Sequence, residues 1–122
     1  MPRPDIRMTP AEVTAFLLGK RRAVVGTLDA EGGPDGEPAE FAFVDGVAVF
    51  VVRHGGSTHR NLARDARVVC SLEEFPSYRA IRGVTLHGHA IATGEEGERA
   101  TFRIEATRVE SFDFRKMPTE SG

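Results

Sequence analysis

Asp45-Gly46 stands between two runs of strand-forming residues, Glu37 to Val44 (EPAEFAFV) and Val47 to Arg53 (VAVFVVR), and this pattern constrains the fold most. A two-residue Asp-Gly link suits the turn whose twist matches that of a right-handed hairpin, so the two runs are predicted to pair antiparallel. The second run is apolar on both faces. One face can line an interior, and the other must be covered by a partner subunit, a ligand or a helix. A homodimer is therefore expected.

Further strands are predicted at Arg22 to Asp29 (RAVVGTLD), Arg67 to Glu73 (RVVCSLE), Ile81 to Thr93 and Ala100 to Phe114. A polar turn around Gly94 to Gly97 joins the last two. Thr9-Pro10-Ala11-Glu12 reads as a helix start, with Thr9 and Glu12 forming a capping box and Met8 and Val13 a hydrophobic staple. Val13, Phe16 and Leu17 give this helix a short apolar stripe, and Gly19 ends it. A second short helix is expected from about Thr58 to Arg64.

Six hairpin-linked strands with two short helices predict a mostly-β fold, a closed or half-closed six-stranded antiparallel barrel. At 122 residues the chain suits one domain. Residues 1–114 are assigned to it and 115–122 to a flexible C-terminal tail.

A net charge of −2 gives no general attraction to nucleic acid, and no apolar run approaches a membrane span. The N-terminal MPRPDIRMTP has no apolar core of a secretory signal, so a cytoplasmic location is expected. Cys70 is the sole cysteine, which excludes an intramolecular disulfide and a multi-cysteine zinc site.

The stretch from His54 to Leu62 (HGGSTHRNL) follows the doubly apolar run. Two glycines allow a tight turn and close approach of a ligand to the backbone. Ser57 is expected to cap the helix, whose first N–H groups carry partial positive charge. Arg53 and Arg60 add guanidinium donors, while Ser57 and Thr58 add hydroxyls. Two readings stay open on these residues: an anion site at a helix N-terminus, or an ordinary strand-to-helix turn.

The ordered set of a capped N-terminal helix, VGTLDAEGGPDGEPAEF, DGVAVFVV, STHRNLARDARVV, IRGVTLHGHA and RIEATRVESFDF resembles the pyridoxamine 5′-phosphate oxidase-like superfamily of FMN-binding split barrels. The resemblance runs from about Thr9 to Phe114. It implies a split barrel whose loop after the third strand holds the flavin phosphate, which carries over to Ser57, Thr58, Arg60 and Asn61. It also implies that Arg22 and Val25, Gly26 and Thr27 of the first strand flank ring or phosphate, and that Val51, Val52 and Arg53 lie along the isoalloxazine.

The F420-using branch shares this layout, and some relatives bind haem, a lesser alternative. Thr58 and Thr27 stand where the family often has lysines. The chain also lacks the extended C-terminal region of the true oxidases, which argues against vitamin B6 oxidation.

His87 and His89, two apart on a strand, point to the same face and read as an exposed or dimer-facing polar row, so no metal site is assigned. Cys70 reads as a buried thiol, and no catalytic residue is assigned. Tyr78 and Arg82, near the Glu73–Arg79 loop, are substrate-side candidates. The expected function is a flavin-dependent oxidoreductase acting on a small organic substrate at the dimer interface, with the cofactor supplying the redox chemistry. The alternatives are an F420-using reductase and a non-catalytic protein that binds or senses flavin, F420 or haem.

Overall fold

Asp45 and Gly46 both take positive φ, 52° and 77°, the backbone that a two-residue hairpin of this hand requires. They join β2 (Pro34–Val44) to β3 (Val47–Arg53), with Val44 opposite Val47 and Phe41 opposite Phe50. The computed structural model describes residues 3–77 and 80–118. The remaining strands are β1 (Arg22–Leu28), β4 (Arg67–Glu74), β5 (Arg82–Glu96) and β6 (Arg99–Asp113). Two helices, α1 (Pro10–Leu18) and α2 (Ser57–Arg64), accompany them.

The strands close into a barrel in the order β1-β2-β3-β6-β5-β4, every ladder antiparallel. This is the mostly-β six-stranded architecture expected from the sequence, with one helix early and one after the third strand. The long β5–β6 pair shifts register between His87 and Gly88 and again between Ala92 and Gly94. Such bulges bend a ribbon that would otherwise run straight past the barrel.

Strand alternation decides what lies inside. Val25, Phe50, Cys70, Leu72 and Val84 are almost wholly buried, and Phe50 stacks on Phe102 with ring centroids 5.4 Å apart. On the outer face of β3, Val47 is exposed while Val49 and Val51 are half-buried.

The capping box of α1 forms as expected, Thr9 Oγ1 accepting from Glu12 N–H and Glu12 Oε1 accepting from Thr9 N–H. Phe16 and Leu17 are its buried residues. After β6 a 3-10 turn, Phe114–Lys116, brings Lys116 Nζ to Arg7 O at 2.8 Å and Glu12 Oε1 at 2.6 Å. That ion pair lowers the Glu12 carboxyl to about 2.

Two strands run three residues beyond their sequence patterns. β2 begins at Pro34 rather than Glu37, because β1 continues to pair with it through Thr27 opposite Asp35 and Leu28 opposite Pro34. β5 runs to Glu96 rather than Thr93, since its ladder with β6 extends to the pair Glu96 and Arg99. No helix among the described residues is long and apolar enough to cross a membrane.

Candidate functional site

The chain leaves β3 at Arg53, and Gly55 at φ 75° turns it back. Gly56 N–H donates to Arg53 O at 3.0 Å, and Gly56 O accepts from Arg60 N–H at 3.0 Å. Gly56 is therefore the N-cap of α2, and no side chain caps the helix. This corrects the expected role of Ser57, which is the first helical residue because the turn closes one position earlier. Among the described residues nothing accepts from the N–H groups of Ser57, Thr58 or His59. These first-turn donors sit at the positive end of the helix dipole, that of Ser57 on an exposed residue and that of Thr58 on a buried one.

Around these donors the side chains divide into two sets. Ser57 and Arg60 are exposed, and Arg60 Nη1 donates to Gly55 O at 2.6 Å. Thr58 and Asn61 turn inward and are buried. Asn61 Nδ2 donates to Thr27 Oγ1 and to Asp35 Oδ2, each at 3.0 Å, which ties the helix to β1 and β2. Both amide hydrogens are committed there. The helix thus presents Ser57 and Arg60 to solvent and packs Thr58 and Asn61 against the barrel.

A carboxylate also reaches this loop. His54 N–H donates to Glu98 O at 2.7 Å, anchoring the end of β3 to the β5–β6 turn. Glu95, at the end of β5, then lies 3.2 Å from His54 Nε2 and 3.4 Å from His59 Nε2. Sequence reasoning placed Glu95 only in a polar turn, and no local signal connects it to the loop.

The other expected site residues are dispersed. Val25 and Val52 point into the barrel core, with Thr27 buried beside Asn61. Arg22 and Val51 lie on the outer face, flanking Glu40 of β2 in adjacent ladders, and Arg53 is exposed at the end of β3. Arg82 donates to Glu74 and lies over the Phe16 ring, 5.3 Å from its centroid, so it helps seat α1. Tyr78 lies outside the described residues.

A cavity of about 540 Å³ opens on the outer side of β1, β4 and β5. Gly26, Thr27, Arg67, Val69, His87 and His89 contribute to its lining. The two histidines do share a face, and His87 Nε2 contacts the Glu110 carboxylate. Arg67 forks onto Asp65 and holds that carboxyl down to about 2. Cys70 lies on the inner face, where burial pushes its thiol up to about 12, so it offers no thiolate nucleophile.

Comparisons with known proteins agree on the fold. The profile of the family described as Pyridoxamine 5′-phosphate oxidase matches residues 9–118. A search of curated proteins finds no match. Among solved structures, the conserved hypothetical protein Rv2991 from Mycobacterium tuberculosis is 26% identical, with a TM-score of 0.84 over 100% of this chain and 96% of that one.

A FAD-binding protein from Mesorhizobium loti is 16% identical, with a TM-score of 0.74 over 88% of this chain and 96% of that one. A heme binding protein from Mycobacterium smegmatis is 17% identical, with a TM-score of 0.69 over 92% of this chain and 61% of that one. The last two likenesses carry the fold alone.

Proposed function

The chain belongs to the pyridoxamine 5′-phosphate oxidase family, and from that premise we propose that it is a flavin-dependent oxidoreductase, with FMN as its cofactor and a small organic molecule as its substrate. The observation that carries the reading is the head of α2, which no side chain caps and which carries the exposed Ser57 and Arg60. Helix N-termini of this kind bind phosphate. The Ser57 hydroxyl and the guanidinium groups of Arg53 and Arg60 would add charge-assisted bonds to it.

When bound, the flavin supplies two-electron redox chemistry, and the protein's part is to hold and shield it. No side chain of this chain need act as acid, base or nucleophile in that scheme. We propose a homodimer as the working form, since Val24 and Val69 stand exposed on the outer face of neighbouring strands, at 52% and 36%. A second barrel packed on that face would remove them from water.

Titration of the purified protein with FMN, followed by visible absorbance and flavin fluorescence, tests the cofactor. Saturable binding is expected, and a protein that ignores FMN refutes the proposal. Arg60→Ala should weaken binding by about 1.5–3 kcal/mol, the scale of a hydrogen bond to a charged group. An unchanged dissociation constant would move the phosphate away from α2. Reduction of bound FMN by a nicotinamide cofactor and its reoxidation by substrate would mark an enzyme.

Two observations favour a second reading, a non-catalytic protein that binds flavin, F420 or haem. Thr27 and Thr58 are buried and bring no charge to the loop, while the Glu95 carboxylate sits against His54 and His59. Both features weaken the pull on a phosphate. Haem binding without FMN binding in parallel titrations would select this reading, as would bound flavin or F420 that no reductant and substrate turn over.

A further inference from the structure

We propose that His54, His59 and Glu95 form a binding site for a divalent transition metal of the zinc class. The three side chains come from three places in the chain: the end of β3, the first turn of α2 and the end of β5. One ligating atom from each lies within 4.8 Å of the others. Glu95 Oε2 is 3.2 Å from His54 Nε2, and Glu95 Oε1 is 3.4 Å from His59 Nε2. Two ligands at ordinary zinc bond lengths on tetrahedral corners stand about 3.3 Å apart. The two histidine–glutamate separations already have that value. Closing the site needs only a modest approach of the two imidazoles and a turn of the carboxylate onto one ion.

The surroundings hold the ligands in place. The His59 ring packs edge-on against Phe102, with centroids 5.9 Å apart, and Phe102 is itself stacked on Phe50 in the core. The bond from His54 N–H to Glu98 O fixes the β5–β6 turn beside the loop. The side chains of His54 and Glu95 are 44% and 57% exposed, and that of His59 is 20% exposed. An ion can therefore enter from solvent and keep water in its remaining position. Two histidines and a glutamate around an ion with one open position is a donor set that zinc accepts. The affinity order of divalent ions makes cobalt a weaker but coloured substitute.

The proton inventory makes one further demand. Gly55 N–H donates to His59 Nδ1 at 2.8 Å, so in the neutral ring the proton sits on Nε2, facing Glu95. Metal coordination at Nε2 moves that proton to Nδ1, and the Gly55 N–H must then let go. Gly55 is exposed, so water replaces the lost acceptor at small cost. Metal binding is thus coupled to the Gly55 amide, whereas a neutral His59 hydrogen-bonded to Glu95 through Nε2–H leaves that bond in place. The inference needs no flavin and stands or falls apart from the cofactor reading.

Metal-stripped full-length protein, without added flavin, is titrated with Zn²⁺ by calorimetry and with Co²⁺ by visible absorbance. The expected result is saturable one-to-one binding, Co²⁺ bands of four-coordinate intensity, and a shift of the Gly55 amide resonance on adding Zn²⁺. Glu95→Gln and His59→Ala should each weaken binding about tenfold or more, at least the loss seen when a mere supporting residue of a metal site is removed. His89→Ala should leave it unchanged. His54→Ala, at a more exposed position, replaces His59→Ala if circular dichroism shows that variant unfolded. Absence of saturable binding overturns the proposal. So does binding that survives the Glu95 and histidine changes, or binding that disappears in His89→Ala.

Discussion

Replacing Asn61 with alanine separates two roles that α2 could assign to that residue, bracing the barrel or holding a ligand. Asn61 Nδ2 donates to Thr27 Oγ1 and Asp35 Oδ2, and Asn61 Oδ1 accepts from Arg64 Nη2 at 2.9 Å. The bond to Thr27 is buried and joins neutral groups, a contribution of about 1 kcal/mol. The bond to Asp35 ends on a carboxylate that is only half-buried and regains water when the amide is lost, so the low end of the charged range, about 1.5 kcal/mol, applies. Arg64 is exposed and adds close to nothing. Asn61→Ala therefore costs about 2.5 kcal/mol in stability.

With about 2.1 cal/mol/K of unfolding entropy per residue, a chain of 122 residues loses about 10 °C in Tm for that change. Thermal unfolding followed by circular dichroism reads it, with FMN affinity measured well below both transitions. A Tm within about 2 °C of the parent, together with lost FMN affinity, would refute the bracing role and make Asn61 a cofactor ligand. Thr27→Val removes one of the same bonds, so the double variant should fall short of additivity by about 1 kcal/mol. Strict additivity would mean that the Thr27 contact contributes nothing.

A β-carbon at Gly88 would overlap the Glu105 carbonyl oxygen and stand 2.9 Å from Ala106 Cα, whereas one at Gly94 meets nothing within 4 Å. Gly88→Ala is therefore expected to cost about 2–3 kcal/mol by overpacking the bulge, with Gly94→Ala melting at or above the parent temperature. Matching melts for the two variants would show that the bulge has room. Asp113 is buried beneath Arg115, whose side chain donates to it and holds its carboxyl below the ordinary 3.8. A folded-state pKa below the unfolded one adds stability above the unfolded value and loses it as the pH falls through the folded value. The urea-midpoint gap between the parent and Asp113→Asn should thus be widest near neutral pH and shrink below about pH 4. A gap independent of pH would assign the effect to shape rather than charge.

Where contacts are local, the sequence was legible. The Thr9–Glu12 box and the Asp45-Gly46 turn each depend on residues at most three positions apart, and both formed as read. The doubly apolar third strand was equally plain, since a period of two sorts side chains without reference to the rest of the chain. Pro34, Asp35 and Gly36 read as turn residues by their own preferences, and only the ladder with β1 makes them strand. Here tertiary pairing overrides propensity.

Around α2 the limit is geometric. The spacing of Ser57, Thr58, Arg60 and Asn61 shows which side chains share a helix face, but not which face the barrel receives. That depends on how the helix packs against β1, β2 and β3, a property of three strands at once. The barrel takes Thr58, Asn61 and Leu62, and this choice leaves Ser57, His59 and Arg60 for chemistry. Glu95 reaches His54 through two successive ladders, Val52 opposite Ala100 and Ala100 opposite Glu95. A register change of one residue in either ladder would turn Glu95 to the other face. The metal proposal therefore depends on strand registry, which sits beyond the reach of any motif, and the bulge between Ala92 and Gly94 is the feature that sets the registry at Glu95.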